Sequence, residues 1–151
     1  IYLHTFNCRL RDVWWCGGGF LGFSSQVYGL IEKQAEKDTI WLIAFVTNWN
    51  PDCHFFMPVF AELSLRYTNA TLNFGQIDIG KFPELAEVFK IDIGGLSNQL
   101  PSFILFEHGK EKRRLPPLNK KNEVIKTLIT KESMIRVFEL DTRYLKKETK
   151  D

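Results

Sequence analysis

Ile40-Trp41-Leu42-Ile43-Ala44-Phe45-Val46-Thr47-Asn48-Trp49-Asn50-Pro51-Asp52-Cys53 is the stretch whose reading decides the fold. The apolar run 40–46 is too short for an independent helix, and its residue types suit a strand buried on both faces, which predicts a central parallel strand. A turn closes at Cys53. Asn is among the preferred N-caps, Pro is favoured at the first helical position and Asp suits the first turn, so Asn50-Pro51-Asp52 opens a helix. Phe56, Val59, Phe60, Leu63 and Tyr67 continue at helical spacing, with Pro58 inside the pattern where it would kink the helix.

Upstream, Val27, Leu30, Ile31 and Ala35 recur at spacings of three and four, which predicts a first helix from Ser24 to about Asp38. Downstream, Leu72–Ile79 reads as a second strand. A helix begins at Phe82-Pro83-Glu84 and carries Leu85, Val88 and Phe89 on one face. Ser102–Phe106, the His108-Gly109 turn and Glu111–Leu115 read as an antiparallel hairpin at a sheet edge, stopped by Pro116-Pro117. Thr130, with Glu132 in the first turn, announces a last helix through Met134, Val137, Phe138 and Leu145. Strands alternating with helices call for a parallel centre, and the hairpin adds an antiparallel edge. The expected architecture is α/β, a mixed central sheet with helices on both faces.

With 151 residues, 44% hydrophobic and 25% charged, the chain has the composition of one globular domain. We place that domain at 24–147, with a polar tail at 148–151. Residues 1–23, with three consecutive glycines among Trp and Phe, read as an irregular leader or a truncated membrane-proximal piece, outside the fold. The apolar stretch Val13–Phe23 falls short of the roughly 20 residues a membrane-spanning helix needs. A net charge of +2 argues against nucleic acid as a partner. Cys8, Cys16 and Cys53 show no metal-ligand spacing, nor do His4, His54 and His108, so neither a metal nor another cofactor is expected.

A buried strand ending in Trp49, a closing Cys53, a helix with Pro58 inside it, and Leu100-Pro101-Ser102 before the hairpin together resemble the thioredoxin family, over about residues 24–147. Ala61–Tyr67, Leu72–Asp78 and Gln99-Leu100-Pro101 are similar to its thioredoxin-related transmembrane branch, some of whose members also replace the first active-site cysteine. The resemblance implies a thioredoxin fold and a cis Pro101 facing the site. It also implies a peptide groove at Pro101 and Ser102, and an endoplasmic reticulum membrane protein linked to redox regulation, anchored by segments outside this sequence.

Thioredoxin-type exchange needs an acidified thiolate at the exposed helix N-terminus and a second thiol to resolve the mixed disulfide. Asn50 occupies the nucleophile's place, and an amide cannot attack a disulfide. The motif Trp49-Asn50-Pro51-Asp52-Cys53 therefore reads as a degenerate site, a good helix start without dithiol chemistry. Cys53 in its resolving position is either a small buried hydrophobe or a monothiol, with Asp52 beside it disfavouring the thiolate. The resemblance further implies a buried carboxylate and a lysine beneath the site, where this chain has Ala44 and Gln76.

Two function classes follow. One is a non-catalytic interaction module that holds a protein partner or an extended peptide at Trp49, Pro51, Pro101 and Ser102, with a homodimer among the assemblies left open. The other is a monothiol redox enzyme or sensor acting through Cys53. Asn69-Ala70-Thr71 is a glycosylation acceptor sequence on a surface loop. Lys112-Arg113-Arg114 reads as solvated charge guarding the hairpin edge, with an acidic partner or a lipid surface as the other reading.

Overall fold

The computed structural model describes residues 8–10, 13–15, 39–69 and 71–148, and the helix expected over 24–38 lies outside them. One mixed sheet organises the fold. Its strands are β1 (Cys8–Leu10), β2 (Val13–Trp15), β3 (Ile40–Val46), β4 (Leu72–Asp78), β5 (Ser102–Glu107) and β6 (Lys110–Leu115), ordered β1-β2-β4-β3-β5-β6. The helices are α1 (Pro51–Tyr67), α2 (Pro83–Val88), α3 (Lys131–Val137) and α4 (Leu140–Glu148). β3 and β4 pair in parallel at the centre and every other pair is antiparallel.

The register shows why the run 40–46 is apolar throughout. In the β3–β5 ladder Ala44 faces Phe103 and Trp41 faces Phe106, while Leu42 pairs with Phe74 in β4. Leu42, Ala44, Phe74 and Phe103 thus share one sheet face, and Phe60 of α1 packs there at 5.6 Å from Phe74 and 5.4 Å from Phe103 between ring centroids. Phe45 and Phe106 lie on the opposite face. Phe89, at the end of α2, covers them at 5.1 and 5.5 Å. Helices therefore cover both faces, and no position in β3 after Ile40 is free to be polar. α1 continues through Pro58. Among the described residues, no helix is long and apolar enough to cross a membrane.

The structure departs from the sequence reading at four places. Residues 8–10 and 13–15, read as part of a leader outside the fold, form a strand pair on the edge of the sheet, with Trp14 opposite Gln76. Strands of three residues are shorter than the window in which alternation becomes visible. The second strand stops at Asp78. Val88 is exposed, and Ala86 is buried beside Leu85 instead.

The last helix is two helices, broken where Glu139 takes φ 53°. Phe138 and Leu140 are both fully buried, yet residues two apart point to opposite sides of a helix. A left-handed residue between them lets both reach the core. The Thr130 cap is present as a reciprocal box with Ser133.

Candidate functional site

β3 delivers Thr47 and the 48–50 turn to the start of α1. Because β5 runs antiparallel to β3 with Ser102 opposite Phe45, the chain enters β5 at this same end of the sheet. The Leu100-Pro101 peptide, which is cis, thereby comes beside the turn. Topology alone brings residues 49–53 and 100–102 together. Gln99 fixes the approach: its buried side chain accepts from the Asp92 N–H at 2.5 Å and donates to the Lys90 carbonyl at 2.7 Å.

Asn50 is the N-cap of α1. Its Oδ1 accepts from the backbone N–H groups of Asp52 at 2.9 Å and Cys53 at 3.2 Å. These are the donors that would stabilise a thiolate at position 50, and the amide oxygen takes them. Pro51 and Asp52 are exposed, with Pro51 in the first helical turn. The His54 ring is exposed. Its Nε2–H donates to the Asn48 carbonyl at 2.8 Å, so that nitrogen is no base for Cys53.

The Cys53 side chain is 2% exposed. Burial pushes its thiol above the ordinary cysteine range, and the charges of Asp52 and Asp78 push the same way. The backbone and hydroxyl of Thr47 oppose them. Thr47 Oγ1 is itself buried. Ala44, on the strand beneath, pairs in register with Gln76, so the pair stands together on the α1 face. Trp49 lies over the turn after β4, where a Cβ on Gly80 would come within 2.5 Å of the indole. Trp49 remains 53% exposed and Phe55 is 70% exposed, so two aromatics face solvent at this end of the molecule.

Two expected site residues play different parts. Ser102 is buried and its hydroxyl donates to the Gln99 carbonyl at 2.5 Å, so it braces the Pro101 turn and does not line a groove. Pro101 is buried too. Asn69 shapes a turn, its Oδ1 accepting from the N–H of Thr71 and of Leu72 and from the Thr71 hydroxyl. The nitrogen that would carry a glycan, Nδ2, is enclosed in the folded chain. Sequence reasoning missed Thr47, Asp78 and Gly80 as neighbours of the site. A polar residue directly after a buried strand was the one available signal.

The model of the family described as "Thioredoxin" matches residues 29–130. The chain belongs to the thioredoxin family. Thioredoxin-related transmembrane protein 2-B of Danio rerio is 41% identical to it over 118 residues, 77% of this chain and 38% of that protein. The thioredoxin-related transmembrane protein 2 homolog of Drosophila melanogaster is 43% identical over 113 residues, 75% of this chain and 42% of its own. The chain thus spans about two fifths of the length of these relatives. Among solved structures, thioredoxin NaTrxh of Nicotiana alata superposes with a TM-score of 0.57 at 17% identity, covering 82% of this chain and 98% of that one. That likeness concerns the fold. Among the described residues of this thioredoxin domain, no group of His, Cys, Asp and Glu is arranged to hold a metal ion.

Proposed function

We propose that this thioredoxin domain is a non-catalytic protein-interaction module, the folded part of an endoplasmic reticulum membrane protein that acts in redox homeostasis. The observation that carries the reading is Asn50, which stands where an attacking thiol would be and spends its side chain capping α1. The site is degenerate as chemistry and complete as a helix start. Exposed Trp49 and Phe55 supply the apolar contact against which an extended peptide or partner would lie. The relatives' names, which include the word transmembrane, support membrane attachment through segments outside this sequence, and the reticulum is part of the proposal, taken from the resemblance.

A second reading, a monothiol sensor at Cys53, draws on Thr47, whose backbone and hydroxyl favour the anion against the burial. Turnover of a small aromatic disulfide by the purified chain separates the two. The module reading expects no turnover, and turnover that Cys53→Ser abolishes would establish the sensor instead. Fractionation of the parent protein tests the location, and recovery outside reticulum membranes would refute that part.

A further inference from the structure

The two aromatic side chains that face solvent around the start of α1 each have a carboxylate for a neighbour. Trp49 is 53% exposed, and one edge of its indole rests on the turn after β4. A Cβ on Gly80 would stand 2.5 Å from that ring and 3.2 Å from Asp78 Oδ1, so ring and carboxylate share the turn. Asp78 is half-buried and oriented, its Oδ1 accepting from the Gly80 N–H at 3.1 Å. On the helix, Phe55 is 70% exposed and follows Asp52 by three positions, which sets the two side by side on one surface of α1. Phe55 meets Phe56 edge-on, with ring centroids 5.1 Å apart.

The charge at this end is unbalanced. Segments 48–55 and 78–84 carry three acids, Asp52, Asp78 and Glu84, against one lysine, Lys81. Among the described residues, neither Asp52 nor Asp78 forms an ion pair. Both carboxylates bear on the Cys53 thiol, so both stand about one turn. His54 spends its Nε2–H on the Asn48 carbonyl.

These pairings limit what can cover the face. A neutral apolar partner would bury Trp49 and Phe55 but would strip water from two carboxylates and leave them unpaired, which costs free energy. An anionic partner is repelled. A guanidinium meets both demands, because the flat cation lies on a ring face while its N–H groups donate to the carboxylate beside it. With one such pair on each side of the turn, a segment holding more than one arginine engages both.

We propose that this end of the domain binds an extended, arginine-bearing segment of a protein partner, one guanidinium at Trp49 and Asp78 and another at Phe55 and Asp52. The inference rests on the module reading and gives the partner of that module a chemistry.

The test follows backbone amide shifts of the whole 151-residue chain at constant ionic strength as a capped heptapeptide is added, arginine at its second, fourth and sixth positions and alanine elsewhere. Counterparts carry glutamate at those positions, or citrulline, which keeps the shape without the charge. Saturable shifts at Trp49, Asp52, Asp78 and Gly80 are expected with arginine, binding roughly tenfold weaker with citrulline, and none with glutamate. Asp78→Asn keeps an acceptor for the Gly80 N–H and removes the charge, so it should fold as the parent does and weaken binding roughly five- to tenfold, as should Asp52→Asn. Trp49→Leu, which keeps apolar cover without the ring, should weaken it by a similar factor. Equal binding of the citrulline and arginine peptides at these residues overturns the arginine preference and leaves the module standing, whereas disulfide turnover, read separately, is what removes the module. The proposal also falls if the arginine peptide gives no saturable response, or if affinity is unchanged in Asp52→Asn and Asp78→Asn alike. It falls equally if the same residues shift with phosphatidylserine vesicles, which would give the face to a membrane, or with chain concentration alone, which would give it to a second copy.

Discussion

Replacing Asn50 by cysteine separates the two things that Asn50 does. In the native chain its Oδ1 satisfies two N–H groups at the start of α1. A thiol is a poor acceptor, so under reducing conditions N50C loses most of an N-cap, about 1 kcal/mol with a range of roughly 0.5–2. For a chain of this size that lowers the melting temperature by about 2–4 °C. The same substitution puts a thiol where the freed N–H groups and the helix macrodipole stabilise its anion, outside the enclosure that raises Cys53. At pH 7 the introduced thiol should react with iodoacetamide roughly tenfold or more faster than Cys53. Oxidation should join the two, and slow turnover of a disulfide substrate should appear where the proposed module reading expects none from the parent. Ala44 and Gln76 beneath the site carry no charge to assist proton transfer, which keeps that turnover slow. Thermal melts under reductant and mass-resolved alkylation read the outcome. The reasoning fails if reduced N50C melts with the parent and its two thiols alkylate at the same rate, because neither the cap nor the helix field would then be acting.

Three further outcomes follow from the same contacts. The Cys53 thiol is raised in the folded state, so its contribution to stability is fully present below the unfolded value of about 8.5 and is lost as pH rises through the folded value. Denaturation midpoints of the parent should hold from pH 7 to 8.5 and then decline, while Cys53→Ala should remove this part of the decline; parallel curves would refute the assignment. Tyr67, buried on α1, donates its hydroxyl to exposed Asp141 of α4 at 2.6 Å, so Tyr67→Phe should cost about 1.5 kcal/mol. A double-mutant cycle with Asp141→Asn checks it, and a coupling near zero contradicts it. Gly80→Ala places a methyl 2.5 Å from the Trp49 ring, but that ring is half-exposed and free to swing outward. Red-shifted Trp49 emission, taken by difference against Trp49→Phe, should accompany a stability loss under about 1 kcal/mol, and unshifted emission would mean that the two residues do not touch.

What was legible in the sequence is what the chain does locally. The run 40–46 could be read because a strand covered by Phe60 on one side and Phe89 on the other has no polar position to vary. The cap at Asn50 could be read because its acceptor and its donors lie within three residues. The illegible parts depend on distance along the chain. Lys90 and Asn122, which share a hydrogen bond, are 32 residues apart, and neither the left-handed turn at Lys90 nor that at Glu139 has a glycine to announce it. Ser102 looked like a groove residue beside Pro101 until the Gln99 carbonyl claimed its hydroxyl, a bond that exists only in the folded 99–102 turn. Asp78 bears on Cys53 because β3 and β4 run in parallel with Val46 opposite Asp78, which carries both strand ends to the start of α1. That Asn50 stands at the start of α1 is thus a local fact that sequence displays, whereas the environment of Cys53 is set by burial in the first turn of α1, by Thr47 and by Asp78. A reading of the motif alone would assign the surviving thiol the wrong environment.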